Sequence, residues 1–144
     1  MEEINNLISN KLWNQALDLL KEKLEANLDI PEKIKILNTM GFVNYQLGQY
    51  ETALEICQSV LELDPKHAYG HKAMGTILAK IGKTTEGIKH LLTSIKLAPS
   101  FFDAYHDLAL ILIKNKRHAE AKKWAQRAYQ LDPIRGEKLV KNFY

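Results

Sequence analysis

Three prolines, Pro65, Pro99 and Pro133, stand at a constant spacing of 34 residues. Ala53, Gly87 and Ala121 keep the same spacing, and so do Leu63, Leu97 and Leu131. A small residue, a leucine and a proline in fixed phase at this period mark a repeat. Each unit of such a repeat is one supersecondary element, and it buries its apolar face only by stacking on its neighbours. The clearest unit runs from Ile34 to His67 and reads as helix, tight turn, helix and proline stop. Met40-Gly41 lies midway through its first helix and Leu47-Gly48 ends it. Tyr50 and Ala53 open the second helix, and Leu63-Asp64-Pro65 closes the unit.

Apolar spacing predicts helices over residues 31–46, 50–62, 66–80, 84–96, 100–114 and 118–130. A helix over 2–9 and another over 12–26 precede them. Trp13 and Ala16 repeat the spacing of Tyr50 and Ala53, so this first pair reads as a shortened repeat. The step from Ala16 to Ala53 is longer than the period, which places an insertion near Asn27-Leu28-Asp29. Asp64-Pro65 and Asp132-Pro133 each offer an N-cap acceptor followed by proline at the first helical position. Gly48 and Gly82 suit the left-handed residue that ends a helix. In the third repeat Lys116 takes that place, and Asn115 is expected to carry the left-handed turn instead. Gly41 and Gly75, inside helices, are expected to mark close approach of the paired helix, with Ala109 as a looser version. A last helix over about 134–142 presents Leu139 and Phe143 as a cap. Residues 1–144 are thus expected to form one domain: a shortened repeat (1–30), full repeats 34–67, 68–101 and 102–135, and a capping helix over 136–144.

The repeat resembles the tetratricopeptide repeat, whose pattern is aromatic-x2-Leu-Gly-x2-Tyr, then Ala-x3-Phe, then Pro. The three copies supply Leu37, Met40, Gly41, Asn44, Ala53, Cys57 and Pro65; His71, Met74, Gly75, Leu78, Gly87, Leu91 and Pro99; and Tyr105, Leu108, Ala109, Leu112, Ala121, Ala125 and Pro133. The resemblance implies an all-α fold, a right-handed α-solenoid of helix-turn-helix repeats, and an interaction module rather than an enzyme. The fold leaves the partner open.

Composition sets further bounds. Apolar residues make up 46% and charged residues 26%, which excludes disordered and fibrous classes. The one cysteine, Cys57, permits no internal disulfide and falls at a core position. No apolar run reaches the roughly 18 residues of a membrane span. The acidic, polar start Met1-Glu2-Glu3 is unlike a signal peptide, so a cytoplasmic location is expected. The net charge of +3 is unevenly spread. Residues 114–144 carry nine Lys/Arg against three acids, and Lys116, Arg117, Lys122, Lys123 and Arg127 form a candidate basic surface. Such asymmetry can steer an acidic partner, a nucleic acid, an anionic surface or a sister subunit.

No phosphate loop, dinucleotide fingerprint or metalloprotease motif is present, so no catalysis and no cofactor are expected. His67 and His71 share i, i+4 spacing without a third ligand nearby, so no metal site is expected. His106 and Asp107 are sequence neighbours that point apart on a helix and form no dyad by spacing. The informative positions lie opposite the core face of each first helix, and in the resembled family that side looks into a concave groove. They are Lys35, Asn38, Thr39, Phe42, Tyr45 and Gln46; Tyr69, Lys72, Ala73, Thr76, Ala79 and Lys80; and Asp103, His106, Asp107, Leu110, Ile113 and Lys114. Apolar anchors ringed by polar groups are what a peptide groove needs. The candidate groove set is Lys35, Asn38, Thr39, Phe42, Tyr45, Tyr69, Lys72, Thr76, Lys80, His106, Leu110, Ile113 and Lys114. One subfamily grips the C-terminal carboxylate of heat-shock chaperones, but here Asp107 stands where an arginine would be needed. The expectation is a protein or peptide partner held in the groove. A self-associating scaffold is the alternative. Nucleic-acid binding by the basic end is the weakest reading, because Trp124 and Tyr129 are expected to pack on neighbouring helices.

Overall fold

The computed structural model describes residues 1–143. These form nine α-helices and one short 3-10 turn, with no strand among the described residues. Their contacts divide the chain into two compact units, Met1–Pro65 and Lys66–Tyr144. The first unit holds α1 (Glu2–Ser9), α2 (Trp13–Leu24), α3 (Ile30–Gln46) and α4 (Tyr50–Leu63). The second holds α5 (Ala68–Lys80), α6 (Thr84–Leu97), α7 (Phe102–Lys114), α8 (His118–Leu131), α9 (Pro133–Val140) and the 3-10 turn Lys141–Phe143.

Each core is built from the repeat positions. In the first unit Ile4, Ala16, Leu17 and Leu20 pack with Ile34, Leu37, Met40, Val43 and Val60. In the second, Leu91 and Ile95 pack with Phe102, Tyr105, Leu108 and Leu112, with the small residues Ala121, Ala125 and Ala128, and with Leu139. Cys57 is buried and behaves as a small apolar side chain. The insertion between α2 and α3 carries a capping box: Asp29 accepts from the Glu32 backbone N–H at 2.9 Å, and Glu32 accepts from that of Asp29 at 3.1 Å.

The two Asp-Pro pairs differ in use. Asp132 caps α9, accepting the Arg135 N–H at 3.0 Å, so that helix begins at Pro133 and becomes 3-10 at Lys141, ahead of the expected span. Asp64 is not the N-cap of α5, a place held by His67. It ends α4, and residues 65–67 form a turn before α5 starts at Ala68. The chain leaves Pro65 through that turn, so α5 is two residues shorter than expected at its start, as α7 is after Pro99.

Gly48 and Gly82 are left-handed, with φ of 75° and 91°. In the third repeat the left-handed residue is Lys116 (φ 59°) and not Asn115 (φ −93°), correcting the expectation. Lys11 (φ 56°) holds the same place after α1. The turn geometry of the repeat therefore overrides side-chain preference at both lysines. A left-handed residue with a Cβ costs about 1–2 kcal/mol. Replacing Lys11 or Lys116 with glycine is therefore expected to raise stability by about 1 kcal/mol each, read as a higher urea midpoint at unchanged m-value. A lower midpoint would show that the lysine side chains contribute more than their backbone strain costs.

Helix packing separates the two glycines that the sequence treats alike. A Cβ on Gly75 would lie 2.6 Å from the Gly87 carbonyl oxygen and 2.8 Å from Leu91 Cγ. One on Gly41 would meet only side-chain atoms, at 3.6 Å and 3.9 Å. Close approach is thus real in the middle repeat and absent in the first full one. A second close approach, not foreseen, joins α9 to α8: a Cβ on Gly136 would lie 2.6 Å from Tyr129 Cα.

Candidate functional site

In the first unit the outward face of α3 carries all six expected residues. Lys35 and Gln46 are exposed, and Asn38, Thr39 and Tyr45 are half-buried. The Thr39 hydroxyl donates to the Lys35 carbonyl at 2.9 Å, a bond internal to the helix. Phe42 is 39% exposed and makes an edge contact with Trp13, ring centres 6.1 Å apart. Tyr45 leans on Tyr50 at 5.3 Å. Both rings are thus supported from one side and open on the other.

In the second unit the face is shared by α5 and α7, and Asp107 is its centre. Its carboxylate accepts from the Thr76 hydroxyl at 3.0 Å and lies 3.5 Å from Lys72 Nζ and 3.3 Å from His106 Nδ1. The His106–Asp107 contact corrects the expectation that these neighbours point apart. Burial pushes the Asp107 carboxyl up, but the His106 hydrogen bond, the Lys72 charge and the Thr76 hydrogen bond together outweigh it and hold it below its ordinary value. Lys72 also lies 5.3 Å from the Tyr69 ring centre, and Tyr69 stacks on Phe101 at 6.4 Å. Beside this, Arg135 from α9 pairs with Asp103 and covers the Phe102 ring at 4.2 Å. Leu110 is 44% exposed, Ile113 is half-buried, and Lys80 and Lys114 are exposed in the last turns of their helices.

The structure thus brings Tyr69, Lys72, Thr76 and His106 together around Asp107. Arg135 and Phe101 were not legible as partners: Arg135 belongs to α9, and Phe101, inside the expected span 100–114, is the N-cap residue of α7. The basic residues are surface residues with local neighbours. Arg117 holds Glu120 through two bonds of 2.9 Å and 2.7 Å, and Lys123 and Arg127 lie 5.9 Å and 4.9 Å from the Trp124 ring. Lys116 is the left-handed turn residue, and Lys122 is half-buried. Trp124 packs on Tyr105 as expected, whereas Tyr129 is exposed. Tyr129 meets α9 with its backbone, at Gly136.

His71, on α5, meets His90 of α6. Nδ1 of His71 is 3.1 Å from Nδ1 of His90, with ring centres 5.4 Å apart and 24° between planes. An imidazole atom lies about 1.15 Å from its ring centre, so these distances require both nitrogens on the line of centres. That is a head-on N–H···N hydrogen bond, with one ring protonated at Nδ1 and the other bare there. The nitrogens do not converge on a third point, and no group of three metal-ligating side chains occurs among the described residues. The same positions hold Leu37 and Ile56 in the first full repeat and Tyr105 and Trp124 in the third.

Burial first, and then the neighbouring His71, lower the pKa of His90, while Glu86 opposes them. A lowered histidine favours the neutral form in the fold. Its stabilisation is therefore complete above the unfolded pKa of about 6.5 and is lost as pH falls through the lower folded value. A His71→Leu, His90→Ile variant is expected to flatten the fall in thermal midpoint below about pH 6.5. An unchanged slope against pH would contradict this.

Comparison with known proteins agrees with the repeat assignment. The family model for the tetratricopeptide repeat matches residues 34–67 and 102–134. Human protein O-mannosyl-transferase TMTC1 is 29% identical over 115 residues, which is 80% of this chain and 13% of that protein. Protein FlbA of Caulobacter vibrioides is 29% identical over 79 residues, 55% of this chain and 13% of its own length. The chain thus spans about an eighth of either relative. Among solved structures, MamA superposes with a TM-score of 0.76 at 21% identity, covering 97% of this chain and 81% of MamA. YrrB, described as a TPR protein, gives 0.76 at 19% identity, covering 96% and 69%. At these identities the structural likeness establishes the fold, which is that of the tetratricopeptide solenoids. The period, the turn geometry, the two matched repeats and this fold agree: residues 34–67 and 102–134 are tetratricopeptide repeats, within a chain that folds as a tetratricopeptide solenoid.

Proposed function

We propose that this chain is a non-catalytic interaction module that holds a peptide or partner segment against the outward faces of its first helices. The observation that carries the reading is the mixed character of those faces. Phe42 in the first unit and Leu110 in the second stand more than a third exposed within half-buried polar surroundings. Apolar anchors in a polar rim are the ordinary anatomy of a recognition surface. Among proteins of this fold, YrrB is described as having an unusual peptide-binding site, and the TPR2B domain of yeast Sti1 as a complex with pHsp70. No described helix is long and apolar enough to cross a membrane. The candidate set Lys35, Asn38, Thr39, Phe42, Tyr45, Tyr69, Lys72, Thr76, Lys80, His106, Leu110, Ile113 and Lys114 supplies the contact residues.

The test is selection on a peptide array followed by titration in solution. Binding is expected to weaken about tenfold or more in a Phe42→Ala, Tyr69→Ala variant with unchanged helicity, because aromatic anchors dominate such interfaces. An array that yields no binder, or binders indifferent to the double substitution, would refute the reading.

A further inference from the structure

The face shared by α5 and α7 in the second unit is electrostatically lopsided. Both of its carboxylates already hold cations: Asp107 holds Lys72, with Thr76 and His106, and Asp103 holds Arg135. Those four charges cancel within the face. What remains lies at one edge. The Thr76–Asp107 hydrogen bond ties α5 to α7; Lys80 lies one turn beyond Thr76 on α5, and Leu110, Ile113 and Lys114 lie one to two turns beyond Asp107 on α7. Just beyond, the helix ends add Lys83, Lys116 and Arg117. Residues 80–86 and 114–120 contain five cations (Lys80, Lys83, Lys114, Lys116 and Arg117) against Glu86 and Glu120, a net charge of +3. Glu120 is taken up by Arg117. Neither Lys80 nor Lys114 has an ion pair among the described residues.

We infer that this face docks an internal, acidic segment of a partner, with apolar side chains on Leu110 and Ile113 and carboxylates along the Lys80–Lys114 edge. The inference rests on the groove reading above. A line of separated ammonium groups matches several spaced side-chain carboxylates. One terminal carboxylate would instead need cations converging on a point, and the point available is occupied by Asp107. A basic segment would meet the uncompensated edge as like charge, which costs affinity and slows encounter.

Three short peptides, acetylated and amidated, with leucine alternating with Glu, Gln or Lys, test this by fluorescence anisotropy on the full chain. The Glu peptide is expected to bind about tenfold tighter than the Gln peptide, and the advantage should vanish as salt rises from about 0.05 M to about 0.5 M. A free C-terminus should leave its affinity unchanged. Lys80→Glu with Lys114→Glu should remove the advantage, whereas Lys122→Glu with Lys123→Glu on α8 should leave it. Equal affinity for Glu and Gln peptides overturns the inference, as does equal loss in both lysine pairs, a strong requirement for the free terminus, or no binding of any of the three. If array-selected peptides still bind and still depend on Phe42 and Tyr69, the groove reading survives that failure. If none does, both fall together.

Discussion

Gly75→Leu is expected to cost about 3 kcal/mol of stability, near the upper end for overpacking. The reason lies in the backbone, which cannot swing aside as a side chain can. A Cβ at Gly75 would sit 2.6 Å from the Gly87 carbonyl oxygen, and one at Gly87 would sit 2.6 Å from that of Gly75. The two glycines thus form one mutual contact, in which α5 and α6 touch backbone to backbone. Any side chain forces the helices apart and opens space beside Leu91, which is fully buried in the core of the second unit. Gly41→Ala is the matched control. Its Cβ would enter at ordinary contact distance from Ile56 and Cys57, and alanine in a helix interior gains about 1 kcal/mol over glycine. Urea denaturation of the two variants should therefore move in opposite directions. Parallel loss in both would mean that the crossing is as tight in the first full repeat as in the second.

Asp107→Leu is expected to cost about 2–3 kcal/mol, because it removes the acceptor that satisfies three donors at once. Lys72 would keep its charge beside an apolar side chain, and Thr76 would fall back on the Lys72 carbonyl, which its hydroxyl already reaches at 3.0 Å. The sign of the pH dependence follows from the lowered carboxyl. The stabilisation is complete above the unfolded value of about 3.9 and is lost as pH falls through the lower folded value. Wild type and variant should therefore differ most near neutral pH and converge in strong acid. A constant difference down to about pH 2 would show that Asp107 acts through packing rather than charge.

Fold and repeat phase were legible because they rest on residues whose constraint is local. Gly48 and Gly82 end helices by adopting a left-handed conformation open to glycine, and the phase of Ala53, Gly87 and Ala121 sets where paired helices meet. Lys11 and Lys116 were illegible for the opposite reason, since the turn imposes a conformation that their side chains disfavour. The Asp64-Pro65 and Asp132-Pro133 pairs are identical dipeptides with different outcomes, decided by how far the chain runs before the next helix packs. At the candidate site, helical spacing grouped the positions expected to face outward within each helix. It could not show Asp107 gathering Lys72, Thr76 and His106, because that depends on the register of α5 against α7. The His71–His90 pair lay hidden for the same reason: each histidine occupies an ordinary packing position, and only the crossing of α5 and α6 puts their ring nitrogens head to head.

The outward faces of the first helices, and not the basic surface of α8, are proposed to receive the partner. Amide NMR shift mapping with an array-selected peptide tests it most directly, because it reads every residue at once. Saturable shifts are expected at Phe42 and Tyr45 on α3, or at Thr76, Leu110 and Ile113 on α5 and α7, with Lys122, Lys123 and Arg127 unmoved. Shifts confined to Lys122, Lys123, Arg127 and their neighbours on α8, with α3, α5 and α7 silent, would contradict it.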